Sequence, residues 1–351
     1  MVDIMDLPCL GNEVKIRLET PQIRCPKCGR FHTLRPDFVH PTMGFTWRFM
    51  HFVSSLQVYV PARKLAAMFG ISHSTVLRID REVLKRSLPP PNLDGLEGIL
   101  VDEKYLGPSH GFVTLVVNAR TGEPLHMARG RDGNALESFF NLLTDRQKRS
   151  IRFLGIDRAN AYRAAAVKHL PHVEVCYDAF HLVSNMNEVV DKVRRAEFAH
   201  PTESERRLVA GRKYHLLKAG ERLDKDDVRE LEELLAVNRN LNTTYLLKEQ
   251  FRFIFTRTSD TDAVWQLVRW IGMAVKSGVR QVECFARGIA DKFNGVINGI
   301  RHGINSGRIE SANAGIKRIQ SKCCGLFDIG YLFMKMRQMY LSRQSPFYQR
   351  I

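Results

Sequence analysis

Three carboxylates stand where metal-assisted phosphoryl chemistry needs them. Asp102 closes the apolar run GILVD, and Asp157 closes IRFLGID. Glu310 lies in Gly303–Lys322, GINSGRIESANAGIKRIQSK, a polar turn followed by a helix-like stretch. Two acids at strand ends and a third on a late helix form a ligand set for a pair of divalent ions that cut and join phosphodiester bonds. Strand ends aim such side chains into the crevice where α/β proteins bind ligands. Glu103, next to Asp102, alternates to the other face. Taken singly, either aspartate also reads as a strand-end or helix-capping group. On the late helix, Ile309, Ala312, Ile316 and Ile319 form an apolar stripe, while Glu310, Asn313 and Lys317 share another face. Glu310 is thus aimed at the metals, with Asn313 and Lys317 in reach of a phosphate. Arg308, Lys317, Arg318 and Lys322 make the neighbourhood cationic. A plain Glu310–Lys317 surface pair is a weak reading, because i, i+7 is too far for direct contact. Asp178 and His181, in YDAFH, support the metals or touch the scissile strand; a structural Asp–His pair accounts for them equally well.

The elements that must position these residues begin at Gly98. GILVDE, GFVTLVVNA and EPLHMARG have strand lengths and turn signals between them, which predicts an antiparallel meander. Asn134–Arg149 is predicted as one helix with Leu136, Phe139, Phe140 and Leu143 on one face. IRFLGID is a fourth strand, ANAYRAAAVKHL a helix and VEVCYD a fifth strand. The order predicts an α/β fold with an RNase H-like catalytic core, a mixed five-stranded sheet whose buried strands read as continuous apolar runs. Residues 98–184 form its first part and 303–351 its last part, which holds the Glu310 helix. Residues 185–302 are helical in pattern and rich in Arg, Lys and Leu, an all-helical insertion between the two.

Upstream, residues 46–88 carry a helix-turn-helix signal, KLAAMFGISHSTVLRI at Lys64–Ile79. Leu65, Ala66 and Phe69 face inward, Gly70 makes the turn, Ile71 is buried and Ser72 caps the second helix. His73, Ser74, Thr75 and Arg78 point outward toward a major groove, and Arg81, Lys85 and Arg86 extend the positive charge. A structural helical hairpin has the same spacing. Leu88-Pro-Pro-Pro-Asn92 ends the helix, and 89–97 reads as a linker. Residues 1–45 look too small for a core of their own and contain Cys25-Pro-Lys-Cys28-Gly, half of a zinc knuckle. His32, His40 and Cys9 are the available further donors.

The chain has 351 residues, a net charge of +16 and a pI of about 9.7. Charge of this size, spread along a folded chain, points to phosphate backbones and binding that weakens with salt. The seven cysteines (9, 25, 28, 176, 284, 323 and 324) do not read as a disulfide framework. No apolar run reaches the ~18 residues of a membrane span. No signal peptide is legible at the start, so a cytoplasmic, nucleoid-associated location is expected.

Together these segments resemble a bacterial insertion-sequence transposase of the DDE type, and more narrowly the ISL3 family. The resemblance rests on QIRCPKCG, GISHSTVLRI, VDE at Asp102, GRD at Gly130–Asp132, GIDRANAY at Asp157, YDAFHLV at Asp178, LLKE at Glu249 and GRIESANAGIKRIQSK at Glu310. It covers nearly the whole chain. It implies that Asp102, Asp157 and Glu310 occupy the DDE positions and that Asp178 and His181 match the family's C/D-x-x-H signature. It implies two Mg²⁺ ions, with Mn²⁺ able to substitute, and a Zn²⁺ at Cys25, Cys28 and His32. The family's zinc region usually has an earlier Cys-x-x-Cys, which this chain lacks. The implied reaction nicks double-stranded DNA at the element's ends and joins the freed 3′-hydroxyl to target DNA, with no covalent enzyme–DNA intermediate. Two DNA ends need two sites, so a homodimer on DNA is expected. The competing readings are a metal-dependent nuclease without strand transfer and a non-catalytic helix-turn-helix regulator.

Overall fold

The computed structural model describes residues 1–156, 160–203, 206, 212–256, 259–304, 307–323 and 328–344. Its first strands form two antiparallel hairpins, β1 (Val2–Cys9) with β2 (Asn12–Leu18) and β3 (Gln22–Arg24) with β4 (Phe31–Thr33). The first hairpin has no core of its own and leans on the helices that follow. Ile4 is fully buried, and the Asp6 carboxylate accepts Thr46 Oγ1 at 2.7 Å and Arg48 Nε at 2.7 Å. Thr46 in turn caps α1 (Trp47–Gln57).

α2 (Ala62–Met68) and α3 (His73–Ser87) pack on α1 through Phe49, Val53, Leu65, Val76 and Ile79. Gly70 takes φ +62° at the turn between α2 and α3, a conformation that disfavours any residue with a Cβ. Ser72 Oγ accepts the Thr75 amide at 3.0 Å, and so satisfies one of the donors left open at the start of α3. Phe69 and Ile71 are half-buried.

The central sheet has the order β7-β6-β5-β8-β9, built from β5 (Gly98–Tyr105), β6 (Phe112–Asn118), β7 (Pro124–Arg129), β8 (Phe153–Ile156) and β9 (Glu174–Tyr177). β5–β6–β7 is the antiparallel meander, and β8 and β9 run parallel to β5. The register aligns Val101 with Ile156 and Ile156 with Tyr177. The single helix expected over Asn134–Arg149 is instead two, α4 (Gly133–Phe140) and α5 (Asp145–Ser150). Thr144 is the reason: its hydroxyl accepts the Gln147 amide while the Gln147 side chain accepts the Thr144 amide, a reciprocal cap that starts a new helix. Leu143 still reaches the core.

Helices cover both faces of the sheet, as buried strands require. On one face α4, α6 (Asn160–His169) and α7 (Ala179–Glu197) share a core with Ile99, Val116 and Leu154. That core continues into α8 (Lys213–Leu217), α9 (Lys225–Ala236), α10 (Arg239–Ile254), α11 (Asp260–Val275) and α12 (Arg280–Ala290), around Phe251 and Trp270. On the other face α14 (Gly307–Lys322) and α15 (Ile329–Gln344) pack over Leu100, Leu115 and Phe153 through Ile309, Ile316, Ile319 and Leu332. Between them α13 (Phe293–Arg301) lies along the edge strand β9, where Asn298 Nδ2 donates to Val175 O at 3.4 Å. Gly295 and Gly299 permit that approach: a Cβ on Gly299 would lie 2.1 Å from Tyr177 O. The helix closes a strand edge that would otherwise be open to pairing.

No helix among the described residues is long and apolar enough to cross a membrane.

Candidate active site

The strand register explains how the acids assemble. Val101, Ile156 and Tyr177 stand side by side on β5, β8 and β9, and the residue that follows each in the sequence is Asp102, Asp157 or Asp178. Asp157 lies outside the described residues; the geometry below concerns the others. Asp102 and Asp178 line one small cleft together with His181, Gly155, Ile304 and Ile309. Glu310 reaches the same place from the opposite side of the sequence: ligand atoms of Asp178, His181 and Glu310 all lie within 4.8 Å of one another. A stretch of more than a hundred residues between Asp178 and Glu310 is therefore folded back.

Each acid is held by its own backbone element. Asp102 Oδ1 accepts the Glu103 amide at 2.8 Å. Its Oδ2 accepts Asn313 Nδ2 at 2.6 Å, which ties β5 directly to α14. Asp178 is the N-cap of α7 and accepts the Phe180 amide at 3.3 Å; it is only 7% exposed. His181 Nε2 lies 4.0 Å from Asp178 Oδ2. Glu310 occupies the first turn of α14 and is exposed on that helix. Arg308 fixes the start of α14 by donating to Ala119 O at 2.9 Å.

Asn313 differs from the sequence expectation of a phosphate contact. It is buried, and its amide nitrogen is engaged by Asp102. Lys317, one turn further, is exposed and faces Lys104. Burial, then the Lys317 ammonium, push the Lys104 amine down, while Asp102 opposes the shift. Lys104 escaped the sequence reading, although its position two residues after Asp102, on the same strand face, was the signal for it. Glu103 does turn to the other side, the face on which Ile99 and Val101 share a core with Tyr162; burial pushes the Tyr162 hydroxyl up to about 12.

The residues expected to meet DNA on α3 divide. Ser74 and Arg78 are exposed, whereas His73 and Thr75 are half-buried. Arg81 pairs with Asp328 at 2.9 Å and Lys85 with Glu82 at 2.8 Å, so both cations are already engaged. A second donor cluster lies in the N-terminal hairpins, where ligand atoms of Cys25, Cys28 and His32 fall within 4.8 Å. Backbone N–H groups of Cys28 and Lys27, then the Cys28 side chain, hold the Cys25 thiol below its ordinary value. His40 does not join this cluster: it is buried, and its Nδ1 accepts the Thr42 and Met43 amides at 3.2 and 3.0 Å.

Known proteins match this chain over most of its length. The transposase of insertion sequence element IS1001 from Bordetella parapertussis is 27% identical over 339 residues, which cover 95% of this chain and 83% of that protein. The transposase of IS1557 from Mycobacterium tuberculosis is 25% identical over 332 residues, covering 87% of this chain and 74% of that protein. The family model for ISL3-type DDE transposases, described as "Transposase", matches residues 99–336, a span that contains the sheet, the acids and α14. The chain is therefore a member of the ISL3 family of DDE transposases.

Proposed function

We propose that this protein is a DNA transposase that nicks the ends of an insertion sequence and joins them to target DNA at Asp102, Asp157 and Glu310. The observation that carries this reading is the convergence of Glu310 with Asp178 and His181 in the cleft that Asp102 lines. Family membership supports the same chemistry. The core reads as RNase H-like: an antiparallel meander followed by two parallel strands, with the helices after β9 as an insertion before the Glu310 helix. In this reading the α2–α3 pair is a helix-turn-helix.

The donor set fits hard divalent cations, since the Asp178 and Glu310 carboxylates meet beside His181 and Asp102 lines the same cleft. Asp102, Asp157 and Glu310 would hold two Mg²⁺, or Mn²⁺ in their place. When bound, such ions activate the attacking hydroxyl and offset the charge that develops on the transferred phosphoryl group. The protein's own residues then have separate tasks. Asn313 holds the Asp102 carboxylate in one orientation. His181, whose imidazole is a poorer partner for Mg²⁺ than a carboxylate, acts with Asp178 as support for the cluster. Lys317 and Lys104 bring positive charge to the DNA backbone beside the site. On α3, Ser74 and Arg78, flanked by His73 and Thr75, enter a major groove. Double-stranded DNA is the partner at both the element's ends and the target, and two ends call for a homodimer on DNA. At Cys25, Cys28 and His32 the donor types and spacing suit a zinc ion.

The test is strand transfer with a radiolabelled, pre-cleaved element end in Mg²⁺ or Mn²⁺. Wild-type protein should nick and join. Asp102→Asn and Glu310→Gln should keep DNA affinity and lose both steps by roughly 10³-fold or more, as loss of charge stabilisation at a phosphoryl centre predicts. Normal cleavage by Glu310→Gln ends the proposal, and cleavage without joining by the wild type reduces it to a nuclease.

A further inference from the structure

The buried Asp80 lies in α3, on the side away from Ser74 and Arg78, and serves neither the apolar core of α1–α3 nor the acid cluster. It is 0% exposed. Its Oδ1 accepts Ser54 Oγ at 2.6 Å from α1. Its Oδ2 accepts Tyr331 Oη at 2.5 Å and pairs with Lys335 Nζ at 3.0 Å, both from α15. With its amide nitrogen turned to Asp80, as the surrounding donors and acceptors require, Gln57 of α1 adds a donor at 2.7 Å. Burial, then the charge of Asp80, push the Tyr331 hydroxyl up, so it stays a donor.

This carboxylate on α3 thus collects donors from two helices, α1 and α15, which belong to different parts of the fold. The contacts around it join the same two parts. Lys322, in the last turn of α14, donates to Val58 O at the end of α1 at 2.6 Å. Arg81 pairs with Asp328. Leu84 of α3 is buried in the core that α14 and α15 share with the sheet, with Leu77 and Leu88 packed against it. α14 has Glu310 in its first turn and Lys322 at its other end, a span of about 18 Å for a helix rising ~1.5 Å per residue.

We infer that Asp80 is a positioning residue, the joint that fixes the DNA-recognition helix at a set distance and angle to the acid cluster. The recognised sequence and the scissile phosphate are then held in one frame, and the joint sets how far from the recognised sequence the strand is cut. This rests on the DNA-processing reading above. Nothing in the packing of α1–α3 alone calls for a buried ion pair to α15; an apolar side chain would fill the site at lower cost.

The experiment uses the full-length chain and a duplex selected from a random-sequence pool by the wild-type protein. Affinity is measured by fluorescence anisotropy, and nick positions in Mn²⁺ are mapped at nucleotide resolution. The wild type should nick at one position. Asp80→Asn should bind within about 10-fold of the wild type, and its nicks should spread over neighbouring nucleotides. Asp80→Asn combined with Lys335→Met, which removes both charges, should draw the nicks back toward one position. If Asp80→Asn does not fold, Tyr331→Phe carries the same comparison with one donor removed. Nicks that stay at one position in the variant overturn the joint while leaving the DNA-processing reading intact. Affinity lost by more than about 10-fold also overturns it, because Asp80 then merely holds α3 together. A wild-type protein that selects no duplex, or leaves it uncut, overturns both.

Discussion

Gly299→Ala should destabilise the protein, against the usual sign for such a change. Within a helix, Gly→Ala stabilises by about 0.5–1 kcal/mol, because alanine loses less backbone freedom on folding. At Gly299 the added Cβ would sit 2.1 Å from Tyr177 O and 3.2 Å from Tyr177 C. The atoms it meets are backbone of β9, held by its pairing with β8, and cannot swing aside as a side chain would. Relief needs α13 to move by about 1 Å, and overpacking of that kind costs roughly 1–3 kcal/mol or more. The net expectation is a loss of about 1–2 kcal/mol and a Tm lower by several degrees. Gly272→Ala is the control: Gly272 is exposed in α11 with nothing within 4 Å of the added Cβ, and there the protein should gain about 0.5–1 kcal/mol. Urea unfolding of both variants checks the pair. The effect should reach the acids as well, because α13 leads through Ile304, which packs over Gly155, into α14. Cleavage by Gly299→Ala should fall even at temperatures where it is folded. A Gly299→Ala protein as stable as Gly272→Ala would refute the close approach of α13 to β9.

Three further outcomes are expected. Asn313→Ala should weaken Mn²⁺ binding, read by electron paramagnetic resonance, by about 10–100-fold, since it removes the group that orients Asp102; unchanged affinity would return Asn313 to a DNA-contact role. Asp6 has its carboxyl held down to about 2, first by the hydrogen bond from Arg48. A depressed folded pKa gives stability that is complete above the unfolded value near 4 and is lost as pH falls toward 2. The Tm gap between wild type and Asp6→Asn should therefore correspond to about 2 kcal/mol at neutral pH and close between about pH 4 and 2; a gap independent of pH would rule out the ion pair as its source. Purified protein should carry close to one zinc per chain by mass spectrometry under native conditions, and Cys25→Ser should lose it while keeping Glu310-dependent cleavage.

Much of the central sheet domain was legible because its signals are local. The runs GILVD and IRFLG are apolar throughout, as strands covered on both faces must be, and they appear as β5 and β8. The stripe Ile309, Ala312, Ile316 and Ile319 is buried as its spacing implied. Where the reading failed, the deciding term was short-range and polar or long-range and tertiary. Thr144 divided a helix whose apolar periodicity continued across the break, because a reciprocal cap outweighs periodicity over so few residues. Asn313 and Lys317 share a helix face in projection, yet the depth of the cleft gives Asn313 to Asp102 and leaves Lys317 exposed. The pairing of Arg81 with Asp328 was out of reach, since sequence says nothing of how α3 meets α15.

Acids placed this close repel one another, and the way the fold tolerates them bears on what they do. Asp102, Asp157 and Asp178 each follow a residue of one register row, and Glu310 is brought against Asp178 and His181. Two of the four sit at helix N-termini, Asp178 as the cap of α7 and Glu310 in the first turn of α14, where the helix dipole favours negative charge by roughly 0.3–1 kcal/mol each. Asp102 is offset differently, by the Glu103 amide and the Asn313 side chain. These neutral dipoles ease the crowding without cancelling it, since a peptide amide carries no net charge. Lys104 stands beside the cluster, its charge opposed by the Lys317 ammonium and favoured by Asp102. In the proposed function, the acids of the cleft hold divalent cations and the lysines at its rim meet the DNA backbone.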